Sequence, residues 1–242
     1  MNKSLSIIVP VHNEALNIKD TVKNIFVAIK QNNIFDYEIL ICESGSTDGT
    51  VQIINDLKKN NQNIKVLIFP DNYNLGEKYR NAIQKAQKKY IAYIPGDNDI
   101  DLESIIKIFS VIGKADIILT YTVNMEKRPL TRRIFSYSYT FLMNLISGYN
   151  IKYYNGACVF LASELKKIRV MSAGFSYMSE IVVKLLNKNL AYYELPMKVV
   201  GRDEDKSSAL QLRNFIDTGI IIVRLFWDLK IKKIFRFEKY KP

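Results

Sequence analysis

The feature that most limits what this chain can fold into is a regular alternation in its first 120 residues. Short β-branched, apolar runs occur at 5–9 (LSIIV), 37–42 (YEILIC), 64–69 (IKVLIF), 90–94 (YIAYI) and 116–120 (DIILT). Pro10, Pro70 and Pro95 each stop one of them. Between the runs lie stretches with helical spacing, at 14–30, 48–59, 76–88 and 102–112; the first carries Leu16, Ile18, Val22, Ile25, Phe26 and Ile29. Strands alternating with helices of this length predict βαβ units, and hence a mostly parallel sheet with right-handed crossovers. Ligands of such sheets bind beyond the carboxyl ends of the strands. That rule directs attention to the loops 10–14, 43–49, 70–76 and 95–101.

The second half changes character. Residues 129–149 suit an aromatic-rich helix opened by Arg132 and Arg133, and 155–162 (NGACVFLA) reads as a buried strand. An amphipathic helix is expected at 175–187. A strand is expected at 190–200, where Pro196 predicts an edge position. A polar loop, 201–208, leads to an apolar helix from 209 that ends in the basic-aromatic run KIKKIFRFEKYK. With no linker and no repeat, the expected organisation is one α/β domain over 1–208, comprising a half at 1–120 and a half at 121–208. An amphipathic, basic helical tail follows at 209–242. Arg224 and Asp228 interrupt the most apolar stretch, 220–229, and Pro10 and Glu14 break the N-terminal one, so neither a membrane-spanning helix nor a signal segment is expected.

Charge and composition narrow the partners. Lys and Arg number 35 against 24 Asp and Glu, a formal net charge of +11, which favours phosphate-bearing ligands, nucleic acid or an acidic membrane surface. With 48% apolar and 24% charged residues, collagen-like and disordered chains are excluded. Cys42 and Cys158 lack metal-ligand spacing and read as reduced core thiols of a cytosolic protein. His12 is the single histidine and no G-x-S-x-G elbow occurs, which disfavours hydrolases. Walker A and G-x-G-x-x-G loops are missing as well.

Asp97-Asn98-Asp99 is the sharpest candidate for chemistry. Two carboxylates at i and i+2 in a turn can face one point, with Asp101 nearby, and oxygen-rich sites suit Mg²⁺ or Mn²⁺. The competing reading is that these residues only form a turn and cap the next helix. In Glu43-Ser44-Gly45-Ser46-Thr47-Asp48-Gly49-Thr50, small residues allow close approach to a ligand; Glu43 could hold a nucleobase, or Ser46, Thr47 or Asp48 could simply cap a helix. Glu180 is a candidate base wherever a hydroxyl must lose its proton, and otherwise part of a solvated helix face.

Four motifs in order, I-I-V-P-V-H-N-E (7–14), E-S-G-S-T-D-G-T (43–50), N-L-G-x-x-x-R-N-A (74–82) and D-N-D (97–99), resemble the family 2 inverting glycosyltransferases of the GT-A fold. R-R-x-x-S (132–136), N-G-A (155–157), the helix holding Glu180 and K-S-S-A-L-x-L-R-N (206–214) are similar to the branch of dolichyl-phosphate mannose synthases and polyprenyl-phosphate glycosyltransferases. The resemblance implies a Rossmann-like sheet flanked by helices. It also implies metal-dependent, inverting transfer of a hexose from a GDP- or UDP-sugar to a polyprenyl or dolichyl phosphate. Pro10, His12 and Glu14 would line the nucleotide pocket, Glu43 would hold the base, and Gly76 and Lys78 would border the nucleotide. Asp97 and Asp99, with Asp101 near a third position, would bind the metal. Arg133, Arg202 and Lys206 would handle phosphates.

Glu43-Ser44 replaces the family's usual acidic pair and His12 its frequent Tyr, so both bases stay open. The expected location is peripheral, at the cytosolic face of an anionic membrane, with an integral-membrane partner also conceivable. One alternative keeps the fold and transfers to a glycan hydroxyl in capsule or lipopolysaccharide assembly. Another is a nucleic-acid-binding module; against it, carboxylates and not basic residues gather at the strand ends, so no nucleic-acid partner is expected.

Overall fold

The apolar runs of the first half become strands and the periodic stretches become helices. A computed structural model describes residues 3–71, 73–172, 174, 176–201 and 212–231. Its elements run β1 (Ser4–Val11), α1 (Ile18–Gln31), β2 (Asp36–Glu43), α2 (Thr50–Lys59), β3 (Ile64–Ile68), α3 (Leu75–Lys85), β4 (Tyr90–Tyr93), α4 (Leu102–Ser110) and β5 (Ile117–Thr122). After a 3₁₀ turn at Met125–Lys127 follow α5 (Leu130–Ser147), β6 (Val159–Leu161), α6 (Ala162–Leu165), α7 (Tyr177–Leu186), β7 (Tyr192–Met197) and α8 (Leu212–Phe226), which continues into a π-helical turn at Trp227–Ile231.

The strands form one seven-stranded sheet in the order β3-β2-β1-β4-β6-β5-β7. β1 lies parallel to both β2 and β4, so the chain reverses its direction of winding between them. That is the switch point at which open α/β sheets form their ligand crevice. β6 is the exception to parallel pairing: it runs antiparallel between β4 and β5. β7 forms an edge, as Pro196 predicts, pairing only with β5. A proline there sacrifices no ladder bond that the fold needs.

Side-chain alternation fills both faces of the sheet. Ile7, Val9, Ile39 and Ile41 join Val22 and Ile25 of α1 and Ile105 and Ile108 of α4 in one core. Ile8, Leu40, Ile91 and Phe160 join Tyr79 of α3, Met143 of α5, Ile181 of α7 and Leu225 of α8 in the other. Each such side chain, fully buried, contributes about 1.5–3 kcal/mol. Among the described residues no helix is long and apolar enough to cross a membrane.

Three expectations need correction. Leu16 is not on a helical face: it is 92% exposed in the turn before α1, because the backbone at 13–15 is held by the β2–α2 loop instead. The helix at α7 is not amphipathic, since every residue from Tyr177 to Leu186 is buried. Pro10, expected to stop the first strand, lies inside β1 opposite Cys42, and the strand continues to Val11 opposite Glu43.

Candidate active site

The site is assembled by backbone approach before any side chain contributes. Gly96 sits just past β4, where its N–H donates to Pro10 O at 3.1 Å. A Cβ at position 96 would lie 2.5 Å from Val11 Cγ1 and 2.9 Å from Pro10 O, so only glycine lets the two strand ends come this close. Asn98 adopts a left-handed φ of 54°, and its side-chain oxygen accepts from Asn24 Nδ2 at 3.0 Å. The turn carrying Asp97 and Asp99 is therefore pinned to β1 and α1.

The first two loops are laced together. Asn13 N–H donates to Ser46 Oγ, Thr47 N–H to Asn13 Oδ1, Glu14 N–H to Thr50 Oγ1 and Ala15 N–H to Asp48 Oδ2, all at 2.8–3.0 Å. His12 is exposed, with Nδ1 2.7 Å from Ser44 O. Asp48 also takes the N–H of Thr50, the first residue of α2, so it ties the loops to the start of that helix, whose cap position is Gly49. Glu43 is 3% exposed and accepts the N–H of Ser46 at 2.7 Å. Lys78 is buried with its ammonium 3.4 Å from Val11 O. Burial lowers its pKa, and the charge of Glu43 partly offsets the shift. Gly76 lies buried in the first turn of α3, where Glu77 returns its carboxylate to the N–H of Asn74. Pro10, His12, Glu14, Glu43, Gly76 and Lys78 all lie at or just beyond the carboxyl ends of β1 and β2 or in the first turn of α3.

The carboxylates divide. Asp97 Oδ1 accepts the Asp99 N–H at 3.1 Å, and both side chains are partly exposed. Asp99 Oδ1 accepts Gly201 N–H at 3.2 Å, and Asp99 Oδ2 lies 3.9 Å from Arg128 Nη2. Two partly solvated carboxylates at i and i+2 fit Mg²⁺ or Mn²⁺, which take one or two protein carboxylates and complete their shell with phosphate and water oxygens. Asp101 does not join them. Its carboxylate accepts Ser104 N–H at 2.9 Å and caps α4. Among the described residues no three His, Cys, Asp or Glu side chains gather as a metal cluster.

Glu180, expected as a candidate base or on a solvated face, is on neither an open surface nor an exposed wall. It is 1% exposed, and its carboxylate accepts the N–H groups of Met171 at 3.0 Å and Ser172 at 2.7 Å and pairs with Lys184. Lys184 in turn donates to Arg169 O at 2.7 Å. The carboxylate is committed to holding the 169–172 segment. Arg133 lies in the first turns of α5, with its Nε buried and without a hydrogen-bond partner among the described residues. Arg202 and Lys206 lie outside the described residues.

Arg128 was not singled out by sequence, yet it stands beside Asp99 with a side chain only 9% exposed. The available signal was a basic residue directly before Pro129 and the R-R pair. The N-G-A segment also gains a physical explanation. A Cβ at Gly156 would lie 2.3 Å from Thr120 O, so glycine permits the chain entering β6 to cross the end of β5. The cysteines are free and buried, and burial pushes both thiols up to about 12.

Known proteins resemble this chain in sequence and in fold. The sequence profile of the family described as Glycosyl transferase family 2 matches residues 6–168. Dolichol-phosphate mannosyltransferase of Saccharomyces cerevisiae is 22% identical over 247 residues, covering 98% of this chain and 90% of that protein. Chondroitin synthase of Pasteurella multocida is 27% identical over 126 residues, 52% of this chain; the match spans only 12% of that longer protein. Among solved structures, glucosyl-3-phosphoglycerate synthase from Mycobacterium tuberculosis, in complex with Mn²⁺, UDP and glucosyl-3-phosphoglycerate, superposes with a TM-score of 0.62 at 11% identity, covering 93% of this chain and 79% of that one.

Proposed function

This chain belongs to glycosyl transferase family 2 and has its GT-A fold; from that premise we propose that it moves a hexose, with inversion, from a GDP- or UDP-sugar to a polyprenyl phosphate at a membrane surface. The observation that carries the reading is the Asp97–Asp99 turn, fixed at the switch point between β1 and β4. A Mg²⁺ or Mn²⁺ ion held by these two aspartates would supply positive charge to offset that of the departing diphosphate. The mycobacterial neighbour described with Mn²⁺ and UDP supports that assignment.

The chain's own residues have separable tasks. The laced 12–15 and 44–50 loops would shape the nucleotide pocket, and Glu43, at the end of β2 beside them, would hold the base. Lys78 places a buried positive charge at the strand ends. A hydroxyl acceptor needs a carboxylate to take its proton, whereas a phosphate acceptor is already anionic near neutral pH. Because Glu180 is occupied by two backbone N–H groups and Lys184, a phosphate acceptor is favoured over a glycan hydroxyl. The yeast relative, a dolichol-phosphate mannosyltransferase, supports the same choice.

Exposed apolar residues on α5 and α8 support the proposed location. Leu130, Ile134, Tyr137, Phe141 and Leu145 recur every three or four residues along α5, and each is at least half exposed. On α8 and its π-helical turn, Ile220, Val223, Trp227 and Ile231 do the same, while Ile221, Leu225 and Leu229 face the core. An amphipathic helix whose apolar stripe faces water suits the boundary of a leaflet, here an anionic cytosolic one given the charge of +11.

The decisive experiment screens GDP- and UDP-sugars by thermal shift with and without Mn²⁺, then follows transfer to farnesyl phosphate. One donor should stabilise the protein only with metal. Asp99→Ala should keep its fold and lose transfer on the order of 100-fold or more, since several kcal/mol of charge stabilisation rest there. Full activity in that variant would falsify the metal assignment.

A further inference from the structure

Arg128 carries a consequence beyond the nucleotide crevice. A guanidinium presents five N–H donors and cannot lose its charge, so burial is costly unless acceptors surround it. Its side chain is 9% exposed, yet its described partners are distant: Nη1 is 3.5 Å from Tyr153 Oη and Nη2 is 3.9 Å from Asp99 Oδ2. Close charge-assisted bonds of this kind span about 2.7–2.9 Å. An arginine kept only to neutralise Asp99 would have closed that gap.

The group is also held in place. Arg128 N–H donates to Met125 O at 3.0 Å, and Pro129 then opens α5. Four residues earlier, Asn124 exchanges two bonds with Val199, at 2.7 and 2.9 Å, and Lys127 reaches Val200 O at 3.0 Å. Val200 N–H in turn donates to Asp99 O at 2.8 Å. The turn bearing Arg128 and the strand end bearing Asp99 are thus joined through one short segment. Nearby in sequence, Thr122 Oγ1 and Arg133 Nε are buried donors without partners among the described residues. Arg128, with only long contacts to its described partners, has donors to offer an oxyanion beside Asp99.

Electrostatics select which oxyanion. A sugar nucleotide's diphosphate would bring negative charge to the Asp97–Asp99 turn, and a second phosphate could approach only if another cation compensates it. A neutral hydroxyl acceptor would not need one. We propose that Arg128 is an acceptor-binding residue whose guanidinium takes the terminal phosphate of a lipid-linked acceptor beside Asp99. This inference rests on the phosphate-acceptor reading above.

The test is a binding measurement, made by calorimetry on full-length protein loaded with Mn²⁺ and whichever of UDP or GDP it binds. Farnesyl phosphate, farnesol and inorganic phosphate are titrated into wild type, R128Q and R128K. R128Q should weaken farnesyl phosphate by about tenfold or more, because charged hydrogen bonds are lost. Farnesol and the nucleotide should change less than about threefold, and R128K, which keeps the charge but not the fork, should fall between. Inorganic phosphate separates a site for the headgroup alone from one that also reads the lipid; the proposal requires R128Q to weaken both. Equal farnesyl phosphate affinity in R128Q and wild type, or an equal loss of nucleotide affinity, would overturn it. If R128Q does not fold, R128K decides. Arg128-dependent binding without transfer would leave this inference standing and remove the proposed function; transfer undiminished in R128Q would do the reverse.

Discussion

A buried carboxylate can serve chemistry or architecture, and Glu180 shows how to separate the two. Its oxygens are taken by Met171, Ser172 and Lys184, so removing it leaves a buried ammonium whose remaining described acceptor is Arg169 O. Breaking one side of such a pair costs about 3–5 kcal/mol, whereas replacing both partners by apolar groups is often neutral. Glu180→Ala should therefore lose about that much stability in urea titrations, and adding Lys184→Met should recover most of it. A catalytic base would give the opposite pattern, lost turnover at unchanged stability. The sequence revealed Glu180 as a helical residue near the site but not its partners, because its ligands are backbone N–H groups that no residue type announces. Arg128 was hidden for a related reason: its importance lies in being 3.9 Å from a residue 29 positions away. Gly156 belongs to this scale too. With 2.3 Å available between a new Cβ and Thr120 O, Gly156→Ala should cost about 1–3 kcal/mol by overpacking, read in the same titrations.

At the level of elements, most strands of the first half were legible because periodicity and proline act locally: Pro70 and Pro95 follow the ends of β3 and β4, and Pro196 marks the edge occupied by β7, whereas Pro10 lies inside β1, which runs on to Val11. The antiparallel entry of β6 was not legible, since a three-residue strand carries no directional signal and its place between β4 and β5 is set by tertiary packing. Nor was the full burial of α7, whose polar Ser179, Glu180 and Lys184 suggested a wet face but find partners inside. The N-terminal ends of β1 and β2, away from the crevice, show what adjacent strands can do with such groups. Ser6 lies opposite Glu38, which is 2% exposed and also accepts from Lys65 and the Gln87 N–H at 2.7 and 2.6 Å. Burial alone would raise the Glu38 carboxyl, but the bonds from Lys65, Ser6 and Gln87 outweigh it and leave its pKa below the ordinary 4.5. A folded pKa lower than the unfolded one stabilises the fold above the unfolded value, and that contribution fades as pH falls through the folded one. Stability should therefore drop as pH is lowered beneath 4.5, and Glu38→Gln should flatten that limb in denaturation curves taken across the acid range.

For the molecule as a whole, the question is how a sheet with carboxylates at its strand ends and a chain charge of +11 would meet the proposed acceptor, a phosphate carried by lipid. Two forces of different range are available. The cationic surplus acts over a Debye length of about 8–10 Å at ordinary ionic strength and is screened by salt, whereas apolar side chains act on contact and are not. α5 and α8 pack together, and their wet stripes lie on helices whose opposite sides fill the same core, so a single approach could seat both. α5 also starts two residues after Arg128, which would bring a docked headgroup to the Asp99 turn without a long path. Phe141→Glu with Leu145→Glu removes only exposed apolar surface, at 71% and 66% exposure, and should leave the thermal midpoint within the small range of surface substitutions. The same pair should strongly reduce sedimentation with vesicles containing anionic lipid. Raising salt from about 0.05 to about 0.5 M, which shortens the screening length severalfold, should weaken wild-type sedimentation only in part, and should abolish what remains in the double variant. Complete release of wild type by salt alone would mean that charge does all the holding and that the stripes cover something other than lipid, whereas no effect of either treatment would remove the membrane from the account altogether.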